Sequence, residues 1–205
     1  MNRPTGLPFI PQGQMAERSD TELMLDLKRG NVNAFNELVT RHQGPLINYF
    51  YRLTWDRQAS EDSAQEVFLR IFRHAGTYEP QAKFTTFLYR VARNLWIDRL
   101  RSAGSAPKTV SLDQSAEDDD RKLSASLASD ERGGEEEAQN REMVEALRKA
   151  IERLPEEQRM VIILSEHQGM KYQEVAEVLD IPVGTVKSRM HAAVAKLREL
   201  MAAPS

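Results

Sequence analysis

Between Lys171 and Leu197 the apolar residues shift phase once, and that shift restricts the fold more than any other feature of the chain. Tyr172, Val175, Ala176 and Leu179 recur at three and four residues, the spacing that puts side chains on one face of a helix. Asp180, Ile181 and Pro182 interrupt the pattern, and proline is tolerated in the first turn of a helix because its missing N–H would be unpaired there. A second helix is therefore predicted from Pro182, with Val183, Val186, Met190, Val194 and Leu197 on its buried face. At about 100° per residue, Thr185, Ser188, Ala192 and Ala195 fall opposite, with Gly184 and His191 beside them. Most of these side chains are small, so a helix could sit close to base edges while Lys187 and Arg189 reach phosphates. The expectation is a helix-turn-helix whose second helix reads DNA. A plain helical hairpin with a solvated face is the alternative on these residues alone.

A net charge of −3 over 205 residues argues against a nucleic-acid binder only until the charge is divided along the chain. Asp113 to Glu137 holds ten acids and three bases, a net of −7, which leaves +4 for the remainder. There is no cysteine, so disulfides and thiolate metal sites are excluded, and the four histidines lack metal-ligand spacing. No apolar run suits a signal peptide or a membrane span, so a cytoplasmic protein without membrane insertion is expected.

The first residues, 1–18, are rich in proline and glycine and read as a tail. Ser19-Asp20-Thr21-Glu22 has the form of a capping box ahead of Leu23, Met24 and Leu27, with Gly30 as the stop. A second helix from Asn33 carries Phe35, Leu38, Val39, Leu46, Tyr49, Phe50 and Leu53, with a kink expected at Gly44-Pro45. A third, from Ser60 to Arg73, buries Ala64, Val67, Phe68 and Ile71, while Asp62, Gln65, Glu66 and Arg73 surround an outward Leu69. One exposed leucine is ordinary; a protein-docking face is the other reading. The fourth helix, Thr85 to Arg101, places Phe84, Phe87, Leu88, Val91, Ala92 and Leu95 inward and Arg90, Arg93, Ile97 and Arg101 outward, with Asn94 adjacent. Lys83 to Arg101 contains five bases and one acid, interleaved with Tyr89, Asn94 and Trp96, a pattern suited to backbone capture with base stacking. The competing reading is a solvated basic face.

Residues 103–139, which include the acidic run, read as a flexible linker. Met143, Leu147, Ile151 and Leu154 then define a fifth helix ending before Pro155. Val161, Ile162 and Leu164 bury a sixth, which Gly169 caps. The fold class is all-α: two small helical domains, 19–102 and 140–205, joined by an acidic linker, the second containing the helix-turn-helix.

Four separate motifs carry a family resemblance. Asp20-Thr21-Glu22-Leu23-Met24 with Ala34-Phe35-Asn36-Glu37-Leu38-Val39, Asp62 to Arg70, Phe84 to Asn94, and Pro182 to Arg189 resemble the extracytoplasmic-function sigma factors of bacterial RNA polymerase, in that order and over about Asp20 to Met201. The resemblance implies a transcription-initiation factor with no cofactor and no catalytic residue. Its partners would be core polymerase, at the beta-prime clamp and beta flap, promoter DNA and an anti-sigma factor. Asp62, Gln65, Glu66, Leu69 and Arg73 would bind the polymerase. Lys83, Phe87, Arg90, Arg93, Asn94 and Arg101 would contact the start-proximal promoter element, with the loop before them holding a flipped base. Thr185, Lys187, Ser188, Arg189, His191 and Ala192 would read the upstream element. Phe87 stands where many members have Trp; His191 and Ala192 stand where arginine or an aromatic is common, and Ala can touch a thymine methyl but cannot make the bidentate pair with guanine. A stand-alone helix-turn-helix regulator leaves the basic fourth helix unexplained. A hydrolase built on Asp62 and Glu66 lacks any further group at a workable spacing.

Overall fold

A computed structural model describes residues 18–105 and 134–202. The tail before residue 18 and most of the acidic linker, 106–133, lie outside the described residues. Within them every regular element is helical.

The first domain is built from α1 (Asp20–Lys28), α2 (Val32–Thr54), α3 (Arg57–Arg73), a short 3₁₀ turn (Ala75–Thr77) and α4 (Phe84–Ser105). The capping box is present: Ser19 Oγ accepts the Glu22 N–H at 3.3 Å, and the Glu22 carboxylate accepts the Ser19 N–H at 2.8 Å, so two donors at the helix start are satisfied reciprocally. Asn31 and Asp56 cap α2 and α3 through their side-chain oxygens, at 3.1 and 3.0 Å. α2 runs through Gly44 and Pro45 as one helix. α2 and α3 pack along their length, α1 lies on α2, and α4 closes over α3. Leu38, Leu46, Tyr49 and Phe50 of α2 meet Val67, Phe68 and Ile71 of α3 and Leu88, Ala92 and Leu95 of α4 in the interior. Tyr49 is wholly buried between Phe50 and Tyr89, with ring centroids at 5.2 and 5.3 Å.

The second domain comprises α5 (Gly134–Glu152), α6 (Glu156–Ile162) running into one π turn (Ile163–His167), α7 (Tyr172–Leu179) and α8 (Val183–Ala202). Gly169 lies at φ +65, a left-handed conformation that glycine adopts without penalty, and it turns the chain from the π segment into α7. Asp180 takes φ 53 between α7 and α8, where aspartate is among the few tolerated side chains.

Three sequence expectations change. In α8 the inward stripe is Val186, Met190 and Ala193, with Leu197 half-buried, while Val194 is 36% exposed. Two consecutive four-residue steps rotate a position about 80° beyond full turns, so a mixed step of four and three keeps the stripe on the core. In α5, among the described side chains, Ala150, Ile151 and the following Leu154 are buried; Met143 (64%), Val144 and Leu147 are exposed, so the periodic pattern extends past the part of the helix that other elements cover. Helix α4 continues to Ser105 and α5 begins at Gly134, so both ends of the stretch 103–139 are helical.

The two domains are in contact. α4 packs on α7, and one continuous apolar cluster links Leu88, Ala92 and Leu95 with Leu164, Val175 and Val186. The Arg148 guanidinium of α5 lies over the Trp55 indole at the end of α2, 5.3 Å from its centroid.

The corrected phase of α8 has a direct consequence. Ala193→Asp, which puts an unpaired carboxylate into the core, should destabilise the protein by about 3 kcal/mol or more, whereas Val194→Asp should leave the thermal midpoint within a few degrees. Thermal denaturation followed by circular dichroism compares them, and equal losses would return Val194 to the interior.

Candidate polymerase and nucleic-acid interfaces

On α3 the buried stripe fixes what faces out. Asp62, Gln65, Leu69 and Arg73 are exposed, and Glu66 is half-buried with its carboxylate 3.0 Å from Arg70 Nε. Asp62 accepts a hydrogen bond from Gln58 at 3.2 Å. Leu69 is 47% exposed, and Phe72, three residues on and therefore on the same side, is 43% exposed. Phe72 packs on Phe35 of α2 at 5.0 Å, and Val32, one turn before Phe35, is also exposed. The result is an apolar strip edged by Asp62, Gln65 and Arg73. Sequence reasoning missed Phe72; its signal was its place one step off the buried positions Val67, Phe68 and Ile71, at i, i+3 from Leu69.

The basic helix α4 is divided by its partners. Arg99 reaches Ser63 Oγ and the Ala59 carbonyl of α3, so it serves the fold. Arg90 and Asn94 are exposed and Arg93, half-buried, donates to Asn94 Oδ1 at 3.2 Å, giving adjacent polar groups on one face, with Arg101 exposed further along. Phe87 is half-buried against Tyr78 at 5.2 Å. The aromatics expected to stack on bases are used otherwise. Tyr89 is buried, and its hydroxyl donates to Gln168 Oε1 of the second domain; the Trp96 indole N–H donates to Glu156 Oε1. Lys83 pairs with Glu174 at 2.7 Å. That pairing, with the Lys171 backbone N–H, holds the Glu174 carboxyl below the usual carboxylate range. The stabilisation it gives is thus present above that range and fades as pH falls through it.

The loop ahead of α4 is positioned by residues that sequence reasoning did not single out. Lys28 Nζ donates to the Tyr78 carbonyl at 2.8 Å, and Tyr78 is buried on Phe87. The His42 ring packs on Phe84 at 5.1 Å, and Asp20 Oδ2 lies 2.8 Å from its Nε2. Asp20 also takes Arg41 at 2.9 Å, so the start of α1 braces the start of α4. These contacts span distant parts of the chain and leave no periodic trace.

In the helix-turn-helix, Gly184, Lys187, Ser188, His191, Ala192 and Ala195 are exposed and Thr185 is half-buried. Ser188 Oγ donates back to the Thr185 carbonyl at 3.0 Å. Arg189, beside this strip, is half-buried and pairs with Glu157 of α6 at 2.6 Å. Beside the strip, Tyr172, Lys187, Met190, His191, Val194 and Arg198 line a surface groove of about 330 Å³. No group of acids and histidines able to hold a metal occurs among the described residues, and none of their helices is long and apolar enough to cross a membrane.

Fold and exposed faces together define a two-domain, all-helical protein with a basic helix in one domain and a helix-turn-helix in the other. Known families divide it in the same way. Residues 38–106 match the sigma-70 region 2 family, and residues 144–197 match sigma-70 region 4. The RNA polymerase sigma-H factor of Pseudomonas aeruginosa is 32% identical over 177 residues, covering 86% of this chain and 90% of that protein. The ECF RNA polymerase sigma factor SigW of Bacillus subtilis is 31% identical over 173 residues, covering 84% and 91%. Among solved structures, CnrH in complex with the cytosolic domain of CnrY superposes with a TM-score of 0.67 at 23% identity, covering 92% of this chain and all of that one. The sigma factor RpoE in complex with the anti-sigma factor NepR from Bartonella quintana gives 0.60 at 19%, covering 83% and 98%. The chain belongs to the extracytoplasmic-function sigma factors of the sigma-70 family.

The anchoring of the loop generates a prediction. Lys28→Met keeps the length of the side chain but removes the donor to the Tyr78 carbonyl, at a cost of about 1 kcal/mol. Amide hydrogen exchange at residues 79–83 should accelerate while exchange within α2 is unchanged; slow exchange in both would mean that Tyr78 packing alone holds the loop.

Proposed function

We propose that this sigma factor binds core RNA polymerase mainly through the α3 face, with Leu69 and Phe72 entering the clamp and Asp62, Gln65, Glu66 and Arg73 fixing the register. The observation that carries this reading is the pair of exposed apolar side chains among acids and an arginine on an otherwise well-packed helix. Interface centres favour such anchors, whose burial excludes water from surrounding polar contacts. Arg90, Arg93, Asn94 and Arg101 contact the start-proximal promoter strand, with Lys83 and Phe87 at the mouth of the loop. The helix-turn-helix reads the upstream element through Thr185, Lys187, Ser188, His191 and Ala192, joined by Arg189 once it leaves Glu157. The work is binding and strand separation driven by binding energy, with no catalytic group of its own, and it takes place in the cytoplasm. In domain terms, 19–102 performs polymerase binding and melting, 140–205 performs upstream recognition and docks on the flap, and 103–139 connects them. An anti-sigma factor is a further partner, a reading supported by the likeness in fold to the Bartonella RpoE, which is held by the anti-sigma factor NepR.

Two substitutions test separate parts of the assignment. Leu69→Asp should abolish capture by core polymerase in a pull-down while leaving helix content unchanged; loss of helix would place Leu69 in the core. Lys187→Ala, measured as promoter binding by the reconstituted holoenzyme across a salt series, should weaken all sequences alike and lower the salt slope by about one unit, as expected for one lost phosphate contact. A changed base preference at constant slope would assign Lys187 to base reading.

A further inference from the structure

Residues 79–83 join Tyr78 to Phe84, and both of those end points are tied back to α1. At the leading end, Lys28 in the last turn of α1 donates to the Tyr78 carbonyl at 2.8 Å. At the trailing end the connection runs through α2. Asp20, the first residue of α1, accepts Arg41 Nη1 at Oδ1 (2.9 Å), and its Oδ2 lies 2.8 Å from His42 Nε2, so two consecutive residues of α2 grip one carboxylate. An ionised carboxylate only accepts, so Nε2 carries the hydrogen, and a charged acceptor makes this one of the stronger kinds of hydrogen bond. The His42 ring then packs on Phe84, the first residue of α4, with centroids 5.1 Å apart. From Phe84 the aromatic contacts continue to Phe87 at 6.4 Å and return to Tyr78 at 5.2 Å. The His42 side chain is 14% exposed, which shields the link from competing water. Arg41 is fixed in its turn by Glu37 at 2.5 Å and by the Arg18 carbonyl at 2.7 Å. A helix is stiff along its axis, so the nine residues of α1 keep the Asp20 and Lys28 anchors roughly 12 Å apart. The loop is thus stretched across a bracket of fixed length, and His42 is its joint with α4.

We propose that His42 is a positioning residue for promoter strand capture: held by Asp20 on one side, it sets Phe84 on the other, and with it the trailing end of the 79–83 loop and the neighbouring Phe87. The inference rests on the reading of α4 and its loop as the part that contacts the strand. His42 does this without touching DNA. A separated strand is retained where the loop and the exposed face of α4 stand at the right spacing, and a displacement of about 1 Å in such a site costs far more than the contact that caused it. Side chains that lock the contacting groups from behind carry that geometry. The α3 face with Leu69 and Phe72 takes no part in this line of contacts, so strand opening and polymerase binding respond separately to a change at His42.

The test uses the full chain in reconstituted holoenzyme, on a promoter duplex that the wild-type holoenzyme transcribes, with 2-aminopurine in the start-proximal element to report opening. His42→Phe keeps a ring against Phe84 and removes the donor to Asp20. His42→Gln supplies an amide donor at nearly the reach of Nε2. Asp20→Ser removes the carboxylate from the other side. His42→Phe should slow opening on the order of tenfold, while core-polymerase capture and initial duplex affinity stay within about twofold of wild type. His42→Gln should recover opening to within about threefold of wild type, and His42→Phe with Asp20→Ser should be no slower than the slower single variant, because both act through one bond. Asp20→Ser decides the question by the same rates if the phenylalanine disturbs folding. Wild-type opening by His42→Phe, equal slowing by His42→Phe and His42→Gln, additive losses in the double variant, or a parallel loss of polymerase capture would each overturn the positioning role. Arg90→Ala with Asn94→Ala separates this from the reading beneath it. If that pair slows opening and His42→Phe does not, the strand-contacting face stands and the role of His42 falls; if that pair opens at the wild-type rate, the face falls and the positioning role with it.

Discussion

The packing of α4 on two partners at once is the constraint from which most of this structure follows. Leu88, Ala92 and Leu95 seal the first domain, while Tyr89 and Trp96 on neighbouring rows meet the second. An amphipathic helix on a single core buries one stripe and solvates the rest. α4 instead has a second, half-polar stripe whose hydrogen-bonding groups are matched by Gln168 and Glu156. Each of these contacts exchanges solvent bonds for internal ones and is worth about 1 kcal/mol net. The basic residues left facing outward are consequently fewer than composition implies: Arg99 is committed to Ser63 and Lys83 to Glu174.

Local regularity makes much of the architecture readable without coordinates. The capping box at Ser19, the inward stripe of α3, the outward Leu69 and the helix-turn-helix boundary at Asp180-Pro182 all follow from interactions within a few residues of chain, and all are present. Periodicity fails where a stripe is extended without knowing what lies across from it. Continued four-residue steps point Val194 inward, yet the α8 surface facing α6 and α7 takes Ala193, the smaller residue. The periodicity that points Met143 and Leu147 inward is real, but burial requires a neighbour, and among the described side chains of α5 the covered apolar ones are Ala150 and Ile151.

The interface residues show the same division in a sharper form. Which side chains point outward is set by helix phase, so Asp62, Gln65, Leu69, Arg90, Asn94, Lys187 and His191 stand on solvent faces as their spacing requires. Which charges have partners is set by tertiary approach. Arg189 with Glu157 and Lys83 with Glu174 join residues far apart in sequence, and no pattern in a single chain marks them. Lys28 and His42 escape a sequence reading for that reason, since their value lies in what they hold: the Tyr78 carbonyl and the Phe84 ring.

The polar contacts between the domains are individually weak. A rim ion pair contributes up to about 1 kcal/mol and the two half-buried hydrogen bonds about 1 kcal/mol each, on the order of 3 kcal/mol in polar contacts. That total is small beside the binding energy of a standard-size protein interface, about 8 to 12 kcal/mol for micromolar to nanomolar complexes. The α3 face that would make such an interface lies away from these contacts, with Leu69 and Phe72 exposed while the domains are in contact.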